Sequence, residues 1–239
     1  MKNFLIVLVC IVSSVGCSQP KELEIIPVEH ASFILKTPEA TIFVDPAVQG
    51  NIFNAHGAPD IILLTDIHGD HLNIEVLKSL KLANAIMIAP QAVADKLPES
   101  LKKHLVVMNN GDIKDLSGIS FEATLMYNLR EEAKQFHTKG RGNGYVLTIN
   151  DQRIYISGDT EDIPEMRNLK DIDMAFVCMN LPYTMTVDKA AEAVLDFKPK
   201  MVYPYHYRGQ DGKSDIAKFK ELVTSQNKTI QVKQLKWYP

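Results

Sequence analysis

The chain has 239 residues, 46% of them apolar, and 29 acidic against 26 basic side chains give a formal charge of −3. That is enough apolar material for one substantial core, and no charge block, Pro/Ser-rich linker or low-complexity segment divides it. The mild acidity offers no basic stripe to nucleic acid, and three cysteines make no disulfide framework.

Residues 1–16 read as an export signal. Lys2 is basic, Phe4 to Val12 is an apolar run of nine residues, and Ser13-Ser14-Val15-Gly16 precedes Cys17. The run is too short to span a membrane, which takes about 20 apolar residues. Ser14-Val15-Gly16-Cys17 resembles a bacterial lipobox with Ser in the first position, where Leu is usual. The expectation is a lipid on Cys17, a polar tether over 18–22 and a domain over 23–239, held at a bacterial membrane and facing the periplasm or cell surface. Ordinary secretion is the other reading. Loss of Lys2 with the signal takes the charge from −3 to about −4. Cys178 then stands alone in an apolar run, as a small core residue does.

Apolar runs and alternation predict strands near 23–28, 31–36, 41–45, 60–65, 84–89, 104–108, 119–126, 144–150, 152–157, 173–178, 200–203 and 229–236. Helical spacing falls near 73–82, 90–97, 186–197 and 213–225, the first behind an Asn73 cap. Strands bunched at the start and middle, each bunch followed by helices, suit two sheets faced by helices.

The densest chemistry is Thr65-Asp66-Ile67-His68-Gly69-Asp70-His71, directly after the apolar run ending at Leu64. Imidazole and carboxylate are the ligand set of zinc and its neighbours. An extended segment would aim residues 66, 68 and 70 one way, with His71 turning with the chain. Other apolar runs also end in polar residues, at Asp45, at Asp159 after Ser157-Gly158 and at His206. Strand ends on a rigid sheet are good places to hold a preorganised site.

Asp-x-His-x-Asp-His, a later Gly158-Asp159-Thr160 and a Tyr205-His206-Tyr207 after a strand resemble the metallo-β-lactamase-fold superfamily. Glu29-His30-Ala31-Ser32-Phe33, Phe43-Val44-Asp45-Pro46, Phe136-His137-Thr138-Lys139-Gly140 and Pro182-Tyr183-Thr184-Met185 are similar to the branch that includes ascorbate-6-phosphate lactonase-like and poorly characterised zinc-dependent hydrolases. The family's usual motif has His where Asp66 stands.

The resemblance implies an α/β (α+β) fold, a four-layer αββα sandwich with a two-metal site at one edge of the sheets. Carried over by position, one metal takes Asp66, His68 and His137, the other takes Asp70, His71 and His206, and Asp159 bridges. Asn128 is the other contender to complete the first site. His30, Asp45 and Asn128 are expected to support the ligands. Two divalent ions are implied, zinc above all, with manganese or iron favoured at the Asp66 site because a carboxylate is harder than an imidazole. The implied reaction is hydrolysis of an ester or lactone, amide or phosphodiester in a small substrate by a metal-bound hydroxide, with Asp70 and Asp159 catalytic. A degenerate metal-binding lipoprotein domain with a structural or binding role is the alternative, and Asp66 supports it. Gly140-Arg141-Gly142 reads as a basic turn that either meets an anionic substrate or merely connects a hairpin, while His56 and His104 read as peripheral.

Overall fold

A computed structural model describes residues 23–48 and 50–238. The expected signal, Cys17 and the whole tether lie outside these residues. Fifteen strands and seven helices are formed among them.

The first sheet carries β1 (Glu24–Glu29), β2 (Ser32–Lys36), β3 (Thr41–Val44), β4 (Ile61–Leu63), β5 (Ile86–Ala89) and β6 (Leu105–Val107), in that order across the sheet. The first three strands are antiparallel, and from β3 onward the sheet is parallel. Parallel neighbours need crossovers, which are supplied here by α1 (Gly50–Ala55), α2 (Ile74–Ser79), α3 (Gln91–Ala94) and α4 (Glu99–Lys102). Asn73 caps α2 as expected, accepting from the amides of Glu75 and Val76 at 3.1 and 3.2 Å.

The second sheet begins with β7 (Ile113–Leu116), β8 (Ile119–Met126), β9 (Gly142–Ile149), β10 (Gln152–Ile156), β11 (Met174–Cys178) and β12 (Met201–Tyr205). A short hairpin, β13 (Arg208–Gly209) and β14 (Gly212–Lys213), precedes the last strand, β15 (Gln231–Val232). The order across this sheet is β15, β12, β11, β10, β9, β8, β7. Helices α5 (Pro164–Arg167), α6 (Val187–Phe197) and α7 (Ile216–Gln226) belong to this half. β9 and β10 are joined by Asn150 and Asp151, both at positive φ (48° and 62°), the left-handed pair that a tight two-residue hairpin demands.

Both faces of the first sheet are buried, which is why its strands read as unbroken apolar runs. Alternation sorts them: Phe33, Leu35, Ile42, Val44, Ile61 and Leu63 face the second sheet, while Ile34, Phe43, Ile62 and Leu64 pack with Leu77, Val93 and Leu101 of the helices. Phe33 stacks on Phe176 of β11 at 4.6 Å, joining the sheets, and Tyr155 of β10 meets Phe197 of α6 on the outer side. The result is the four-layer αββα sandwich.

The sequence pattern missed several pieces. β7 is mostly exposed and carries no alternation, and α1, α4 and α5 span only four to six residues, too few for a helical period to show. The expected strand over 229–236 is reduced to Gln231–Val232, but Trp237 and Tyr238 are buried and tie the C-terminus to the core.

Candidate metal centre

The site forms where the C-terminal ends of β3 and β4 meet the ends of β10 and β12. The two sheets are tied there by the Asn143 amide, which donates to Thr65 O at 2.9 Å. β3 leads into Asp45, β10 leads through Gly158 into Asp159, and β12 leads into His206. Gly158 has φ of 59°, and a Cβ there would stand 2.5 Å from Met126 Sδ and 3.0 Å from Asn143 O, so the turn that presents Asp159 requires glycine. His30, Asp45 and His206 also hold positive φ (51°, 41° and 44°), local strain concentrated around one site.

The central motif is not extended. His71 and Leu72 both donate their amides to His68 O, at 3.0 and 2.8 Å, so the chain coils after Asp66 and turns its side chains to two groups. The sequence expectation of alternation over 66, 68 and 70 is corrected by this turn, because the strand has already ended at Leu63.

Asp66, His68 and His137 bring ligand atoms within 4.8 Å of one another, and so do His71, Asp159 and His206. Asp159 lies between the groups. Its Oδ2 is 3.2 Å from His137 Nε2 and 3.3 Å from His71 Nε2, and its Oδ1 is 3.4 Å from His206 Nε2. Asp70 Oδ2 approaches His206 Nε2 at 3.3 Å. Behind His71, buried Asp45 accepts from the Thr65 amide (2.8 Å), the Thr65 hydroxyl (2.6 Å) and His71 Nδ1 (2.8 Å).

Tautomers follow from these partners. His137 Nδ1 faces the Tyr183 carbonyl at 3.1 Å, and a carbonyl only accepts, so Nδ1 carries the proton. His71 Nδ1 likewise donates to Asp45. In the neutral rings both Nε2 atoms are then lone pairs, buried and without a hydrogen bond, aimed at a carboxylate. Lone pair facing carboxylate is repulsive unless a proton or a metal ion lies between them, so the donor set fits a bound cation.

The same physics moves the pKa values. Burial pushes the His71 imidazole down, but the Asp159 and Asp45 carboxylates overcome it and hold it well above the ordinary value. His206 is likewise pushed up to about 9, with Asp159 and Asp70 outweighing burial. Asp159 and Asp70 are held below the carboxylate range despite burial, by the His206 and His71 charges and by hydrogen bonds from histidine.

The supporting residues fall behind these groups. Asn128 donates its amide to the Ala133 and Tyr183 carbonyls at 2.9 and 2.6 Å, fixing the carbonyl that orients His137. His30 packs edge-on to His206 at 5.4 Å between ring centres. Its Nε2 accepts from Arg208, and burial, His206 and Arg208 push its pKa down to about 4. Although His30, Asp70 and His206 also converge within 4.8 Å, the Arg208 guanidinium already occupies the His30 lone pair and opposes a cation there. His104 instead faces the Ala85 carbonyl at 3.1 Å.

Arg141 differs from the sequence reading. It donates to both oxygens of Asp66, at 3.2 Å from Nε and 2.9 Å from Nη2, so the basic turn meets a buried carboxylate of the site itself. The available signal was the departure from the family's usual pattern, since a carboxylate buried in place of an imidazole calls for a counter-charge. Glu161 and Arg130 were also missed. Buried Glu161 accepts from the Leu129 and Arg130 amides, both at 2.9 Å, and Arg130 spans to the Pro182 and Thr184 carbonyls at 2.9 and 2.8 Å. This brace holds the segment that carries Tyr183.

A cavity of about 300 Å³ opens onto both groups, lined by His68, Asp70, His137, Asp159, Asn180, Phe136 and Tyr183. Phe136 and Tyr183 meet edge to face at 5.2 Å and form its apolar wall.

Residues 24–206 match the beta-lactamase superfamily domain. A UPF0173 metal-dependent hydrolase from Lysinibacillus sphaericus is 30% identical over 213 residues, covering 85% of this chain and 92% of the relative. The chain belongs to the UPF0173 metal-dependent hydrolase family. A second member, from Pyrococcus abyssi, is 28% identical over 215 residues and 93% covered. Among solved structures, a protein from Parabacteroides distasonis described as a metal-dependent hydrolase is 37% identical with a TM-score of 0.81, covering 90% of this chain and 94% of that one. Igni18, a metallo hydrolase from Ignicoccus hospitalis, shares the fold at a TM-score of 0.74 and 19% identity, covering 89% and 94%.

Proposed function

We infer that this family member is a binuclear metallohydrolase acting on an ester or lactone, amide or phosphodiester bond of a small molecule. The supporting observation is Asp159, a buried carboxylate met by three imidazole nitrogens at 3.2–3.4 Å. Asp66, His68 and His137 would hold one ion, Asp70, His71 and His206 the other, with Asp159 shared between them. Bound divalent cations supply Lewis acidity, which lowers the pKa of water and polarises the oxygen of the bond to be broken.

The chain's own groups account for the rest. Asp70 lines the cavity with its carboxyl held below the ordinary range, so it is a carboxylate that would accept a hydrogen bond from water there and orient it. Asn180 Oδ1 accepts the Thr184 hydroxyl at 2.6 Å, which leaves its amide N–H groups to donate into the cavity, where a substrate oxygen would gather charge. The Phe136–Tyr183 wall suits an apolar substituent, and a volume of about 300 Å³ suits a small reacting group. No serine or cysteine nucleophile is required, and Cys178 is buried with its thiol pushed up to about 12 by burial and the Asp159 charge.

Elemental mass spectrometry on the full chain, purified without chelator, tests this reading. About two ions per chain after incubation with metal, with losses in His68→Ala and His206→Ala, are expected. Zinc is the expected ion, with manganese or iron competing at the Asp66 position. The retained metal then defines the conditions for screening lactones, thioesters and phosphodiesters. Absence of metal after incubation with zinc, manganese and iron would overturn the assignment and favour a structural or binding domain.

We also propose export with a lipid on Cys17, from the signal pattern of residues 1–17. Metabolic labelling with a radioactive fatty acid should mark the parent chain and not Cys17→Ala. An unlabelled parent recovered in soluble form outside the cytoplasm would indicate ordinary secretion instead.

A further inference from the structure

The two metal groups differ in their counter-charge. Asp66 is wholly buried and both of its oxygens are already engaged, by the Arg141 guanidinium on Oδ1 and Oδ2 and by His68 Nδ1 at 2.7 Å on Oδ2. Arg141 also donates to the carbonyl of Phe136, the neighbour of His137. One side chain therefore braces both segments that bear this group and cancels the charge of the one carboxylate that belongs to it alone.

The second group has no equivalent cation. Among the described residues no Lys or Arg is ion-paired with Asp45, Asp70 or Asp159, and Arg208, on the far side of His30, is paired with Glu29 at 2.8 Å. With imidazoles neutral, a divalent ion at the first position meets the Asp66 charge already balanced by Arg141, apart from its share of Asp159. At the second position it meets Asp70 and Asp159 uncompensated. The Arg141 fork is permanently charged and two-pronged, so it competes for the lone pairs that an ion would use.

We propose that Arg141 sets the affinity of the Asp66–His68–His137 position, making it the weaker and exchangeable of the two metal positions. This rests on the binuclear reading of the same residues. An ion at the second position would remain during purification, while the first position would fill according to the supply of metal. Catalysis that needs both ions would then follow the concentration of free metal, through a residue that is itself no ligand.

Zinc titration of the full chain, stripped with chelator and followed by calorimetry, tests this. The parent should bind two ions in steps about tenfold or more apart. His68→Ala should lose only the weaker step. Arg141→Gln should tighten the weaker step by about tenfold and leave the stronger within about twofold, whereas Arg141→Lys, which keeps the charge but loses the fork, should fall between Arg141→Gln and the parent. Equal affinity for both ions in the parent would overturn the proposal. So would a weaker step that is unchanged or weakened in Arg141→Gln with a parent-like circular dichroism spectrum. If that variant does not fold, Arg141→Lys still decides, since a weaker step no tighter than the parent's there would overturn the proposal. Failure of the parent to bind any zinc would instead overturn the binuclear reading, and this inference with it.

Discussion

Asp45–His71 and Asp66–His68 are the same pair chemically, a buried carboxylate 2.8 or 2.7 Å from a histidine Nδ1. They differ in what else the carboxylate holds. Asp45 is satisfied by the amide and hydroxyl of Thr65, dipoles that leave its charge in place to raise the basicity of His71. Asp66 is satisfied by a guanidinium, which removes that charge. Identical pairs of residues thus create opposite electrostatic environments some residues apart, and the donors behind a ligand set its strength as much as the ligand does.

The largest expected effect comes from the residue common to both groups. Asp159→Ala should cost about 10³-fold in kcat/KM and most of the bound metal, because several kcal/mol of charge stabilisation go with it. A variant that keeps both ions and full activity would break the comparison outright. Asp45→Ala sharpens it: metal affinity at the second position should fall about 10–100-fold, read by competition with a chelator, while the first position changes little. Equal losses at both positions would mean that the two groups act as one unit.

Protonation provides the next test, on chelated protein. His71 and His206 have raised pKa values when folded, so their stabilisation is complete below about 6.5, the unfolded value, and is lost as pH climbs through about 9, the folded value for His206. Asp70 and Asp159 are depressed, so theirs is present above about 3.8 and is lost only in acid. The melting temperature of the metal-free chain should therefore fall by several degrees between about pH 6.5 and 9, and zinc should abolish the fall by replacing the protons. A flat profile in that window would show that no proton bridges the second group. The smallest effect is expected from His56→Ala and His104→Ala, which should leave metal stoichiometry unchanged and stability within about 0.5 kcal/mol. Loss of an ion from either variant would add a histidine that the geometry leaves outside.

Much of the fold was legible because two-sided burial leaves apolar runs that need no context to recognise, as at Asp60–Leu64 and Met174–Cys178. Asn73 as a helix cap and the polar residues at strand ends were legible for local reasons as well. Exposed β7 and the one-turn helices were not, since their formation depends on neighbours rather than on their own pattern. At the site, the histidines and aspartates could be named from motif and resemblance, but Arg141 could not be assigned, because a partner 75 positions from Asp66 is invisible to any local period.

The sequence by itself determined the inventory: two sheets with helices, a clustered set of imidazoles and carboxylates, and an aspartate at the head of that cluster. Only the tertiary structure decided the electrostatics. Residues just after β3, β4, β10 and β12 and just before β9 meet at one place, and burial there makes each hydrogen-bond partner decide a charge. Carboxylates raise the pKa values of His71 and His206 against their burial, and the same close packing lets a single guanidinium on Asp66 separate the two groups.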